Sequence, residues 1–204
     1  SIRGHRLVYL DNAASTQKPR RVLDAARAFY ETSYANIHRG VHELSQPATA
    51  LYESTRDVVV RFLNAGSTKE IIFTSGTTEG INLVAQSWAR ENLRSGDEIL
   101  VTTMEHHSNI VPWQLVCRQT GAKLVVAPIS DAGEIRFDEF ENLLTRKTRL
   151  AAFGHVSNAL GTVNPIKRLV AAAKSVGAVT VVDGAQAVAH MKVDVQDLGC
   201  DFYA

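Results

Sequence analysis

Cysteine, long apolar runs and net charge are all scarce in this sequence. Its two cysteines, Cys117 and Cys200, are too few for a disulfide framework or a thiolate metal site, and they fit a reducing compartment. No apolar run approaches the roughly 18 residues of a membrane-spanning helix, and the first residues lack a secretory-type stretch. A net charge of +1 gives no field for nucleic acid or an anionic membrane. We therefore expect a cytoplasmic protein that binds neither nucleic acid nor membranes.

Strand and helix patterns alternate from about residue 70 onward. Strands are predicted at 70–74, 98–102, 123–127, 150–153 and 178–182, and an amphipathic helix pattern follows each of the first four. Strands joined by crossover helices predict an α/β fold, in which a mostly parallel sheet carries helices on both faces. Before residue 70 the pattern is helical, and no linker is recognisable. We expect one domain over residues 1–204.

Polar side chains follow the predicted strands at the point where each strand ends. Asp183 closes the last strand, where burying an ionised carboxylate costs several kcal/mol unless a cation or strong donors compensate it. Thr77 and Thr78, His106 and Asn158 follow other strands. Ligands of parallel sheets bind outside the carboxyl ends of the strands. The sequence therefore predicts a site at this edge, suited to a phosphorylated, cationic aromatic cofactor.

Most of these groups also have an ordinary structural interpretation. Thr77 and Thr78 could serve as plain helix caps instead of binding an anion at the helix N-terminus. His106 could be a solvated loop histidine rather than a group that stacks on a ring and transfers protons. Asn158 is a common loop residue, although it could hold a phenolic oxygen together with Gln186. The convergence of these residues on one edge favours the ligand site.

Metal and thiol chemistry are poorly supported within these residues. His38 and His42 are spaced i, i+4, but Arg39 stands where a zinc-protease motif requires Glu. Adjacent histidines, as at 106–107, seldom bind one ion. Neither cysteine has the electropositive surroundings of a nucleophilic thiolate. We predict no metal site.

Six short motifs occur in order along the chain. They are residues 9–14 (YLDNAA), 36–40 (NIHRG), 76–79 (GTTE), 105–109 (EHHSN), 155–158 (HVSN) and 182–186 (VDGAQ). Together they resemble the cysteine desulfurases of the class V aminotransferase family, specifically the SufS-like group that includes selenocysteine lyases. The resemblance covers the whole chain.

The resemblance implies the large domain of a fold type I enzyme with pyridoxal 5′-phosphate as cofactor. Such enzymes are homodimers that take sulfur from L-cysteine, or selenium from L-selenocysteine. Cysteine desulfurases release L-alanine and form an enzyme persulfide, which supplies a sulfur-acceptor protein in iron–sulfur cluster assembly. The alternatives left open are selenocysteine lyase, kynureninase or another class V activity, and a non-catalytic standalone scaffold domain.

Each candidate residue has a role that the resemblance implies. Asp183 would pair with the protonated pyridine nitrogen. His106, rather than His107, would stack on the ring and transfer protons as the catalytic residue. Thr77 and Thr78 would bind the phosphate of the cofactor. Asn158 and Gln186 would lie near its phenolic oxygen.

Two features depart from the family pattern. Ser75 stands where SufS-like sequences often carry Arg, which alters the charge near the phosphate. The segment with the cofactor-binding lysine would come directly after Ala204, and the nucleophilic cysteine lies further on in the family. We therefore expect residues 1–204 to be the N-terminal segment plus most of the large domain, with the C-terminal part absent, and to be inactive alone.

Overall fold

The computed structural model describes all 204 residues, which divide into two compact units, Ser1–Val59 and Val60–Ala204. The first unit contains helix α1 (Arg20–Thr32) and most of helix α2 (Ser45–Leu63), both in the region predicted to be helical. Ser45 and Ala48 are its only buried residues. This unit therefore has no apolar core of its own. One domain over residues 1–204 stays a prediction.

The second unit is built on a five-stranded sheet in which every neighbouring pair is parallel. The strands lie in the order β2-β1-β3-β4-β5 across the sheet. Their bounds are β1 Glu98–Thr102, β2 Lys123–Ala127, β3 Thr148–Gly154, β4 Val179–Asp183 and β5 Phe202–Tyr203. The predicted α/β class with a mostly parallel sheet is confirmed.

Helices cover both faces of this sheet. Their bounds are α3 Thr77–Val84, α4 Arg90–Asn92, α5 Val111–Thr120, α6 Phe137–Leu143, α7 Ile166–Ser175 and α8 Val195–Leu198. A π-helical turn, Ala85–Ala89, connects α3 to α4. None of the helices is both long and apolar enough to cross a membrane.

The core consists of two apolar layers, one on each side of the sheet. Ile99 and Val101 of β1 contribute to the layer that contains Trp113 of α5. Leu100, between them, contributes to the opposite layer with Phe140 of α6. Successive side chains of a strand point to opposite faces, and strands buried on both faces are apolar throughout. This explains why the predicted strands are continuous apolar runs.

The strand predicted at residues 70–74 is wrong. Thr68–Glu70 form a single 3₁₀ turn, and the residues up to α3 adopt no regular structure. Ile72 and Phe73 are 66% and 40% exposed, so the stretch is not buried as a sheet strand would be. Strand propensity is realised only where a neighbouring strand pairs with the segment. Thr77 and Thr78 therefore follow a loop instead of a strand.

Candidate functional site

The sheet changes its direction of growth between β1 and β3. From β1 the chain moves outward to β2, and then crosses back to build β3, β4 and β5 on the other side. A crevice forms at such a switch point, outside the carboxyl ends of the two strands that flank it. The segments that leave β1 and β3 carry Glu105, His106 and His155. Geometry alone therefore marks this edge as the place for a ligand.

Asp183 is the last residue of β4 and is buried. Its Oδ1 accepts a hydrogen bond from the N–H of Ala185 (3.0 Å), and its carbonyl accepts one from the N–H of His155 (2.8 Å). Burial raises the pKa of the Asp183 carboxyl, while the N–H of Ala185 and the nearby His106 lower it. The surrounding residues thus leave a desolvated acid that a further cation would stabilise.

His106 lies in the turn that follows β1 and is exposed. Its Nδ1 accepts a hydrogen bond from the N–H of Ser108 (3.2 Å) and lies 2.7 Å from Ser108 Oγ. Because Nδ1 accepts, the proton of the neutral ring is on Nε2. The ring of His107 meets it edge-on at 5.9 Å between centroids. Ser108 therefore fixes the orientation of the imidazole that also lowers the pKa of Asp183.

The N-terminus of α3 is open towards solvent. Its N-cap is Gly76, whose φ of 155° and ψ of 176° are a conformation that only glycine adopts readily, and no side chain caps the helix. The first hydrogen bond of the turn runs from the N–H of Gly80 to Gly76 O (3.1 Å). Thr77, half-buried, and Thr78, exposed, are thus the first helical residues and are not the caps. Their N–H groups and the helix dipole could receive an anion, and a phosphate at this position stays a prediction.

Helix α3 also contacts the segments that carry the other candidate residues. α3 packs against the turn His107–Asn109 and against β4, the strand that ends in Asp183. A Cβ on Gly80 would lie 3.4 Å from the Cβ of Ala204. Thr77, His106 and Asp183 therefore belong to segments that meet at one end of the sheet.

A local pair holds the loop before α3. The N–H of Ser75 (2.5 Å) and its hydroxyl (2.6 Å) both donate to Oε2 of Glu79. These hydrogen bonds, the side-chain one first, lower the pKa of Glu79. Ser75 thus organises the start of the helix through Glu79, a contact that the sequence analysis did not identify.

Asn158 and Gln186 occupy the loops after β3 and β4. Asn158 is exposed in a tight loop in which the N–H of Ser157 donates to Thr162 O (2.9 Å). Gln186 is half-buried in the turn that follows Asp183. A shared position beside a phenolic oxygen stays a prediction for both.

Three further residues at this edge were missed from sequence. Glu105 is buried directly before His106. The Nδ1 atom of buried His155 lies 3.1 Å from the hydroxyl of Tyr203, and desolvation lowers the pKa of His155. Glu105 and His155 lie in two of the six motifs, but neither the motifs nor the position of Tyr203 reveals their burial or contacts.

The histidines of the first unit form no metal cluster. His38 has a positive φ of 66°, its N–H donates to Thr49 Oγ1 (2.9 Å), and its Nε2 lies 3.5 Å from Glu53 Oε1. Nowhere in the chain do three or more His, Cys, Asp or Glu side chains gather so as to hold a metal ion.

This chain is similar in sequence and in structure to known enzymes. The family described as Aminotransferase class-V matches residues 8–204. A cysteine desulfurase of Salmonella newport is 53% identical over 202 residues, which are 99% of this chain and 50% of that protein. The crystal structure of the cysteine desulfurase CsdA from Escherichia coli is 45% identical with a TM-score of 0.87, covering 96% of this chain and 49% of that one.

A more distant structure contains a cofactor. It is a mutant of C-DES with glycine covalently linked to its PLP cofactor, 25% identical with a TM-score of 0.82, and the match covers 94% of this chain and 50% of that one. The chain spans about half the length of these proteins, and 32% of a cysteine desulfurase from Synechococcus elongatus.

Proposed function

Since the chain belongs to the class V aminotransferase family, we propose that it is the N-terminal part of a pyridoxal-phosphate-dependent cysteine desulfurase. The full-length enzyme would convert L-cysteine into L-alanine and an enzyme persulfide. The observation that carries this proposal is the 53% identity to a cysteine desulfurase over 99% of the chain. The fold and the polar edge of the sheet support it independently.

The residues at this edge fit pyridoxal phosphate. The buried carboxylate of Asp183, whose pKa burial raises, suits the protonated nitrogen of a pyridine ring. The open N-terminus of α3, with its Gly-only cap at residue 76, suits a phosphate group. The imidazole of His106, held by Ser108, suits the face of an aromatic ring. Three chemically different features thus match three parts of one molecule.

Bound pyridoxal phosphate supplies an electron sink for the carbon next to the substrate amino group. Asp183 would keep a proton on the ring nitrogen, because an ionised carboxylate beside that nitrogen raises its proton affinity. Nε2 is the nitrogen of His106 that is free to take part in proton transfer, since Nδ1 is already held by the N–H of Ser108. The N–H groups and hydroxyls of Thr77 and Thr78 would hold the phosphate and so fix the position of the ring.

Neither cysteine of residues 1–204 suits the role of the sulfur-accepting thiolate. Desolvation raises the pKa of both cysteines, that of Cys200 to about 11, so each is a neutral thiol at physiological pH. We therefore expect the persulfide-forming cysteine elsewhere in the full-length protein. We also propose a cytoplasmic location, which the two free cysteines support. Family membership supports a homodimer that passes sulfur to an acceptor protein.

The test is an assay of the full-length protein with L-cysteine, with and without added pyridoxal phosphate. We expect stoichiometric L-alanine and persulfide, dependence on the cofactor, and no alanine from residues 1–204 alone. A parallel reaction with L-selenocysteine decides between the two substrates. A cofactor-loaded full-length protein that releases no alanine from either amino acid would contradict the proposal.

A further inference from the structure

Glu105 is a buried acid that lies directly behind the site. Its side chain accepts hydrogen bonds on both carboxyl oxygens, from Thr102 Oγ1 to Oε1 (2.5 Å) and from Asn109 Nδ2 to Oε2 (2.7 Å). The backbone of Gly154 lies close to this carboxyl and lowers its pKa through a hydrogen bond, and a Cβ on Gly154 would lie 3.5 Å from Glu105 Oε2. Thr102 belongs to β1 and Gly154 to β3. One carboxyl group thus connects the two strands that flank the crevice.

The hydrogen bonds continue in both directions from Glu105. On one side, Asn109 Oδ1 accepts from Nε1 of Trp113 (2.9 Å), which is fully buried in the core. On the other, the carbonyl of Gly154 accepts from Nδ2 of Asn164 (2.7 Å). The backbone of Gly154 therefore contacts both Glu105 and Asn164. A chain of contacts runs from the core layer under α5 to the end of β3.

Both ends of this network adjoin residues of the proposed site. His106 is the next residue after Glu105 in the chain. Gly154 is the register partner of Asp183 in the β3–β4 pair. The charges of Glu105 and Asp183 are close enough for Asp183 to contribute to the raised pKa of Glu105. Any movement of the Glu105 carboxyl therefore displaces the turn of His106 relative to the strand end that carries Asp183.

We propose that Glu105 is a positioning residue, which fixes the His106 imidazole and the Asp183 carboxylate relative to one another by holding Thr102, Asn109 and Gly154. The inference rests on the proposed function, because it concerns the same site. The side chains that contact Glu105 are those of Thr102 and Asn109, both part of the protein. Glu105 acts by fixing the geometry on which the reaction depends.

Glu105→Gln tests this with little change in size. The carboxamide has one acceptor oxygen where the carboxyl has two, so an NH₂ group faces one of the present donors. The control is Glu98→Gln, at the start of β1, the strand that precedes Glu105. There Glu98 Oε2 likewise accepts from a threonine hydroxyl, Thr145 Oγ1 (2.8 Å). Both variants are made in the full-length protein. Apo-protein unfolding, the absorption spectrum of the bound cofactor, kcat and KM are measured.

We expect Glu105→Gln to remain folded and to bind cofactor with a shifted absorption maximum. Its kcat should fall about 10- to 100-fold with little change in KM, the size expected when reacting groups are misplaced by a fraction of an ångström to one ångström. Glu98→Gln should match the wild type in every readout. Equal kcat values and spectra for the two variants would overturn the inference.

A second variant keeps the test decisive if Glu105→Gln does not fold. Thr102→Val removes one donor to Glu105 while keeping the shape of the side chain, and it should lower kcat by a smaller factor. An unchanged kcat in Thr102→Val would then overturn the inference. A wild-type protein without cofactor absorption or alanine release would instead contradict the proposed function, so the two failures are distinguishable.

Discussion

The ring of Tyr203 occupies the space that a side chain on Gly184 would need. The two residues are also connected through the backbone, because the N–H of Gly184 donates to Ala204 O (2.7 Å). The Tyr203 hydroxyl reaches His155, whose N–H holds the carbonyl of Asp183. The turn that follows Asp183 is therefore packed directly against β5.

Gly184→Ala should destabilise the full-length protein by about 1–3 kcal/mol, because an added methyl group in a filled space forces neighbours to move. Thermal unfolding of the apo-protein measures this. Gly80→Ala is the matched control, since its Cβ would make only an ordinary contact with Ala204 at 3.4 Å. A Gly184→Ala variant as stable as Gly80→Ala would show that Tyr203 can move aside freely.

Asp183→Asn should leave the fold intact and lower kcat about 100-fold or more, because a neutral amide does not hold the ring nitrogen protonated. Removal of a desolvated charge does not disturb the fold by itself, since Asn fills the same volume. Circular dichroism and alanine release in the full-length protein report the two effects separately. Activity within a few fold of the wild type would remove Asp183 from its assigned role.

His106 and His107 provide a paired test of the catalytic histidine. His106→Ala should reduce kcat about 100- to 10,000-fold, the range of a general acid–base contribution. His107→Ala, a change of the same size in the neighbouring exposed position, should have little effect. Steady-state kinetics of both variants decide the assignment. Equal losses would mean that the turn, and not the imidazole of His106, is what the reaction requires.

The pH dependence of stability should contain a contribution from Glu105. Desolvation, the largest effect, raises its pKa from 4.5 to about 7, so the folded state binds the proton more tightly than the unfolded state. The contribution is thus present at low pH and lost as the pH rises from about 4.5 to about 7, on the order of 3 kcal/mol in all.

Denaturant unfolding of the full-length apo-protein at several pH values measures this contribution. The difference in unfolding free energy between the wild type and Glu105→Gln isolates this contribution from other titrating groups. We expect the wild type to lose stability relative to Glu105→Gln as the pH increases. Curves for the two proteins that stay parallel between pH 4.5 and 8 would show that Glu105 titrates normally.

The sequence predicted those parts of the fold that depend on local pattern. The strands ending at Thr102 and Asp183 were recognisable because strands buried on both faces must be apolar throughout. The stretch at 71–74 has the same composition but forms no sheet strand, since pairing depends on a neighbour that composition does not specify. Local pattern therefore identifies a strand only where the tertiary fold supplies a partner.

The site was predictable to a similar extent. Asp183 was identified because a charge at the end of an apolar strand requires compensation. Glu105 was missed, because its burial depends on Gly154, a residue about 50 positions away whose backbone is brought to it by the β1–β3 pairing. Roles that arise from long-range pairing leave no local pattern in the sequence.

The scarcity of buried residues in Ser1–Val59 has a consequence for protein synthesis. These residues leave the ribosome before the sheet has been made, and they bury only Ser45 and Ala48. Such limited burial cannot offset the conformational entropy of some sixty ordered residues. The nascent segment should therefore fluctuate, with its apolar helix faces available to chaperones, until another surface covers them.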